Sequence, residues 1–162
     1  MKKIKKRLKK TILLAAIALP LSVFGQLQSF SFTKLDSLQK TEKKNIVVFI
    51  HTDWCRYCQL MKNTTFKDKK VIKLLNEKFW FAYLNGEERQ DITFNGHTFK
   101  YQPTGSNTGI HELAEQLGSI NSKVSYPTLC ILNTDYEIIF QYNHFLSSAD
   151  LLRVLNEVLK RS

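Results

Sequence analysis

The chain has 162 residues, 43% of them apolar and 23% charged, which are ordinary fractions for one globular domain with its own core. Its formal charge of +10 invites a nucleic-acid reading, but seven basic residues fall within residues 1–25, which hold no acid, leaving about +3 over residues 26–162. An excess that small is an ordinary solvated surface, and no basic stripe is interleaved with stacking aromatics, so nucleic acid is excluded as a partner.

Residues 1–25 have the layout of an export signal. The basic run MKKIKKRLKK is followed by an apolar stretch from Ile12 to Phe24 and the compact ending SVFG. The apolar stretch carries Pro20 and is shorter than the roughly 20 residues a spanning helix needs. No cysteine stands at the cleavage point, so a lipoprotein signal is not expected. The expected domain is therefore residues 26–162, exported to the periplasm or secreted, in a compartment where thiols can pair.

A polar helix is predicted over Thr33 to Lys43. Asn45 opens the run Ile46-Val47-Val48-Phe49-Ile50, whose β-branching and length predict a buried strand. The next segment, HTDWCRYCQLM, gives way to a helix through about Asn63. Asp68 can cap another helix with Val71, Ile72, Leu74 and Leu75 on its inner side. Phe79 to Leu84 is a second buried strand.

Residues 86–109 break this rhythm. In DITFNGHTFKY, apolar residues alternate around Asn95-Gly96, which predicts a β-hairpin. The segment QPTGSNTG is expected as loop and Ile110 to Leu117 as a short helix. YPTLCIL and EIIFQYN read as two strands around a turn at Asn133-Thr134-Asp135. Ser147 and Asp150 form a capping box for a final helix, with Leu151, Leu152, Leu155, Val158 and Leu159 on one face. The predicted architecture is one α/β domain. It has a mixed sheet of at least four strands flanked by helices, the first crossover parallel and right-handed and the last two strands antiparallel.

Two of the three cysteines, Cys55 and Cys58, are one helical turn apart at a strand-to-helix junction. Three chemistries compete for them: a metal clip, an inert bridge, or a couple that opens and closes. A metal site wants four ligands, and His51, His97, His111, His144 and Cys130 are scattered along the chain, so no metal is expected. A bridge closing so small a loop would restrain the unfolded chain little. A C-x-x-C that opens a helix after a buried strand is a redox signal. Cys55 at the helix start would be stabilised as an anion by unpaired N–H groups and the dipole, with Arg56 adding positive charge. Cys55 would then attack a substrate disulfide, and Cys58, more shielded, would resolve the mixed disulfide.

The segments VVFIHTDWCRYCQLM, FKDKKVIKLLNEKF and the later YPT resemble the thioredoxin superfamily. They are most similar to its exported thioredoxin-like members, including the C-terminal domain of the membrane thiol:disulfide interchange reductase. The resemblance spans about Thr33 to Lys160 and implies a thioredoxin fold, to which the hairpin-bearing segment at about 86–109 is an insertion absent from minimal thioredoxins. It implies that Trp54 flanks the nucleophile Cys55, that Cys58 resolves, and that Pro127 is a cis proline. It also implies that the backbone of Tyr126 pairs with an extended substrate, with Thr128 just beyond. Arg56 and Tyr57 stand where thioredoxin has Gly-Pro, a dipeptide that tunes the potential. Phe49 stands where many members bury an acid that helps move the resolving proton; Asp53, Glu87, Glu88 or water could take its place.

The resemblance further implies no cofactor beyond the Cys55–Cys58 disulfide, protein thiols and disulfides as substrates, and electrons from a membrane-embedded donor. Reduction is the expected direction. The alternatives are an oxidase or isomerase, a non-catalytic adaptor or chaperone of the same fold, and copper delivery through the two thiols. Cys130, on an apolar strand, reads as an inert core residue rather than a third redox partner. Trp54 reads as a lid, against ordinary half-buried packing. His51 reads as a structural histidine rather than a base, His97 as exposed, and Phe94, Phe99 and Tyr101 as packing for the hairpin.

Overall fold

A computed structural model describes residues 25–161. The export-signal reading of residues 1–25 lies outside the described residues, save Gly25, which is exposed. Among the described residues no helix is long and apolar enough to cross a membrane.

The first helix, α1 (Phe32–Thr41), is capped by Ser31, whose hydroxyl accepts the Lys34 N–H. It stops short of the predicted Lys43 because the chain folds back there. The Gln39 side chain bonds both backbone groups of Lys44, and the Trp80 indole donates to the Glu42 carbonyl. β1 (Asn45–His51) is buried along its whole length, as its β-branched run requires. α2 (Arg56–Asn63) follows it, then a 3-10 turn at Thr65–Lys67. α3 (Lys69–Lys78) starts on Asp68, whose carboxylate accepts the N–H groups of Lys70 and Val71. β2 (Phe79–Asn85) lies parallel to β1, with Val48 opposite Ala82.

β3 (Ile92–Phe94) and β4 (His97–Phe99) form the hairpin predicted at Asn95-Gly96; both turn residues have positive φ, 49° and 75°. Phe94 docks it by edge contacts to Phe32 and Tyr136, and Asp36 accepts the Asn95 N–H. The expectation that QPTGSNTG is loop is corrected. β5 (Tyr101–Pro103) pairs with β6 (Gly109–His111), and Thr108 O closes the connection by accepting from Thr104 and Gly105. The strand takes up Ile110, so α4 (Glu112–Gly118) begins two residues later than predicted, with His111 as its cap. A short pair, β7 (Ser119–Ile120) and β8 (Lys123–Val124), was not predicted either.

β9 (Thr128–Leu132) runs antiparallel to β1, and β10 (Ile138–Tyr142) antiparallel to β9. The main sheet therefore has the order β10-β9-β1-β2. α5 (Ser148–Arg161) buries Leu151, Leu155 and Val158, while Leu152 and Leu159 are half-buried at its margin. At its start the Asp150 N–H donates to the Ser147 hydroxyl, and the Asp150 carboxylate accepts from that hydroxyl and from the Ser147 backbone N–H, as the capping box requires.

Strand alternation splits the core into two layers. Val47 and Phe49 face α2, α3 and α5, together with Cys55, Cys58, Met61 and Phe66. Ile46, Val48 and Ile50 face α1, α4 and the hairpin insert, together with Cys130.

Candidate active site

Every part of the site follows from where β1 ends. Past His51 the chain leaves the sheet, and Cys55 becomes the N-cap of α2 with extended backbone. Its sulfur accepts the Cys58 N–H at 3.1 Å, as a capping hydroxyl would. Cys55 and Cys58 are joined as a disulfide with Cα atoms 5.2 Å apart. Cys58 is fully buried, whereas Cys55 keeps 5% of its surface open.

The second wall comes from the start of β9. Thr128 sits opposite Ile50 in the ladder, which brings the preceding residues beside the end of β1. The Tyr126–Pro127 peptide bond is cis. Thr128 is fully buried and its hydroxyl donates to the Ser125 carbonyl at 2.7 Å, bridging the bend. Tyr126 is half-buried and meets the Trp54 ring edge-on at 6.0 Å. Burial and the Glu87 carboxylate push the Tyr126 phenol up to about 12, so it stays a neutral donor.

Trp54 is 66% exposed, which rules out the half-buried packing weighed for it. Its indole N–H is shared between both oxygens of Glu87 at 3.1 Å. Glu87 thus ties the ring to the loop after β2, a partnership across 33 residues that no local sequence signal announces. Arg56 and Tyr57 are exposed on the first turn of α2, and Tyr57 lies 6.5 Å from the Phe145 ring. Leu60, on the same helix, and Phe145 are also exposed.

Among the described residues no Asp or Glu is buried. Phe49 fills the interior position, fully buried against Phe66 and Tyr83. Of the three acids considered as substitutes, Asp53 is exposed, Glu87 holds Trp54, and Glu88 accepts the N–H groups of Arg89 and Gln90 in its own loop. His51 is buried at the end of β1, stacked on Phe49, with the Lys62 ammonium 3.1 Å from its Nδ1. Cys130 is fully buried, and desolvation pushes its thiol up to about 12, which makes it unreactive. His97 is exposed in the hairpin, and Phe94 is buried beneath it. Among the described residues no three His, Cys, Asp or Glu side chains gather as metal ligands would.

A family model described as a thioredoxin-like domain matches residues 32–159. Among curated proteins, mouse spermatogenesis-associated protein 20 is 30% identical over 76 residues; that match takes in 46% of this chain and only 10% of the mouse protein. Among solved structures, a DsbH oxidoreductase superposes with a TM-score of 0.58 at 15% identity, covering 97% of this chain and 95% of its own. A thioredoxin from Thermus thermophilus superposes with a TM-score of 0.58 at 20% identity, covering 83% and 88%. At these identities the structures establish the fold.

Proposed function

The chain belongs to the thioredoxin-like domain family, and from that premise we propose that it is an exported thiol–disulfide oxidoreductase that reduces protein disulfides through Cys55 and Cys58. The observation that carries this reading is the disulfide itself: Cys55, the less buried residue, caps α2 with its sulfur, and the fully buried Cys58 lies one turn behind.

In the reduced protein the Cys55 thiolate attacks a substrate disulfide. A mixed disulfide forms, and one substrate sulfur leaves as thiolate and takes up a proton. Cys58 then gives up its proton and attacks Cys55. The Cys55–Cys58 bond forms, the bond to the substrate breaks, and the second substrate thiol is released. The backbone beside Tyr126 and Pro127 would pair with an extended substrate segment. Thr128 supports that bend, since its hydroxyl is already engaged. Trp54 would cover the bound segment, and Arg56 and Tyr57 would tune the couple.

Export rests on the basic and apolar layout of residues 1–25. An exported reductant needs electrons from across the membrane, which supports a membrane-embedded thiol donor. The exposure of the large apolar side chains Trp54, Tyr57, Leu60 and Phe145 also favours a second reading, an adaptor that holds extended chains without chemistry. Insulin reduction in dithiothreitol separates the two. The oxidoreductase accelerates precipitation of the insulin B chain, and Cys55→Ala removes the acceleration. An adaptor gives no acceleration, and Cys55→Ala leaves its chain binding intact.

A further inference from the structure

The resolving step needs Cys58, buried in an apolar layer, to lose a proton, and Phe49 occupies the place where an acid could have received it. The polar groups that reach this layer lie to one side. Alternation along β1 puts His51 on the same sheet face as Val47 and Phe49, the face against which both sulfurs pack. Lys62 follows Cys58 by four residues on α2, on the same helical face. Long helical side chains lean towards the N-terminus of their helix. Lys62 does so, because its ammonium reaches back to His51, which precedes Cys55 by only four residues.

The contact is close, with Nζ 3.1 Å from Nδ1 and 3.2 Å from Nε2 of His51 and 5.6 Å from the Tyr83 ring centre. Burial holds His51 at about 4, so at neutral pH the imidazole is uncharged and accepts from the ammonium. Among the described residues no carboxylate pairs with Lys62. Both groups line a solvent-open cavity of about 630 Å³ together with Gln59, Phe66 and Tyr83. The charged and titratable groups around it are Asp53 beyond β1, whose charge acts on both His51 and Lys62, Tyr83 on β2 and Lys67 on the 3-10 turn. The cavity-lining side chains from α3 and residues 25–27 are uncharged.

We propose that Lys62, steered by His51, is a positioning residue for the resolving step: its charge, one turn behind Cys58 on the same face of α2, favours ionisation of the Cys58 thiol. This rests on the exchange reading above. The balance is closed. Cys58 S–H gives its proton to solvent, its electron pair forms the bond to Cys55, and the substrate sulfur departs with the pair from the broken bond and is protonated. A fixed cation thus does by attraction what a buried acid would do by accepting the proton.

Dithionitrobenzoate, a chromogenic aryl disulfide, separates the two steps in stopped flow with the reduced protein. The first aryl thiolate released reports attack by Cys55, and the second reports Cys58 displacing the aryl group left on Cys55. Lys62→Met should raise the pH midpoint of the second phase by about one unit and slow it several-fold at pH 7. Lys62→Arg should keep the wild-type profile. Lys62→Gln provides a second neutral variant should the methionine protein fold poorly. A neutral variant with the wild-type midpoint overturns the proposal, as does an arginine variant as slow as methionine. A wild-type protein that releases no second aryl thiolate overturns the exchange reading instead, and this proposal falls with it.

Discussion

The sulfur of Cys55 accepts the backbone N–H of Cys58 at 3.1 Å. In the reduced protein the same N–H would face a thiolate, so the cap that starts α2 also steadies the nucleophile. Cys58→Ser should therefore accumulate mixed disulfides on Cys55, because the attacking step survives and the resolving step does not. Non-reducing gels and mass spectrometry read this out. Cys55→Ala should trap nothing; trapping through Cys58 alone would reverse the assignment of the two sulfurs.

Trp54 and Glu87 form the other pairing at the mouth. Glu87→Ala frees an exposed ring, so it should leave stability within about 0.5 kcal/mol of wild type. It should raise KM for a protein disulfide several-fold and leave reduction of a small aryl disulfide unchanged. Equal losses on both substrates would mean that Glu87 acts on the sulfurs and not through the ring.

Cys130 is sealed in the β9 ladder opposite Val48. In a protein lacking Cys55 and Cys58 it should resist alkylation until denaturant is added. Cys130→Ala should cost about 1 kcal/mol of stability and no activity. Alkylation of Cys130 in the native protein would show that the β9 core opens.

His51 gives a pH signature. Burial depresses its folded value from 6.5 to about 4, so between these values the unfolded chain binds the proton and the folded chain does not. Stability is complete above pH 6.5 with respect to this group and falls as pH drops towards 4. His111 is shifted in the same direction and adds to the slope. Urea unfolding at pH 7.5 and 4.5 should show a smaller loss for His51→Gln than for wild type. Equal losses would place the titration elsewhere.

The elements legible in the sequence are those whose signal is local. The run Ile46–Ile50, the Asp68 cap, the Asn95-Gly96 turn and the spacing of Cys55 and Cys58 each act through neighbours within a few residues. β5 and β6 were missed because three-residue strands held by backbone pairing need no apolar alternation. The end of α1 was misplaced because Trp80, 38 residues away, helps to set it. The same distance effect hid the links that shape the site. Nothing around Glu87 announces Trp54, and Lys62 looks like any exposed helical lysine until β1 brings His51 to it.

The most direct test of reversible exchange at Cys55 and Cys58 is their equilibration with glutathione redox buffers, read by thiol alkylation and mass. A single two-thiol transition near the thioredoxin value of about −270 mV is the expected result for a reductant. A disulfide that stays closed in both glutathione and dithiothreitol would contradict the exchange mechanism. A potential far above that value would keep the chemistry and reverse its direction.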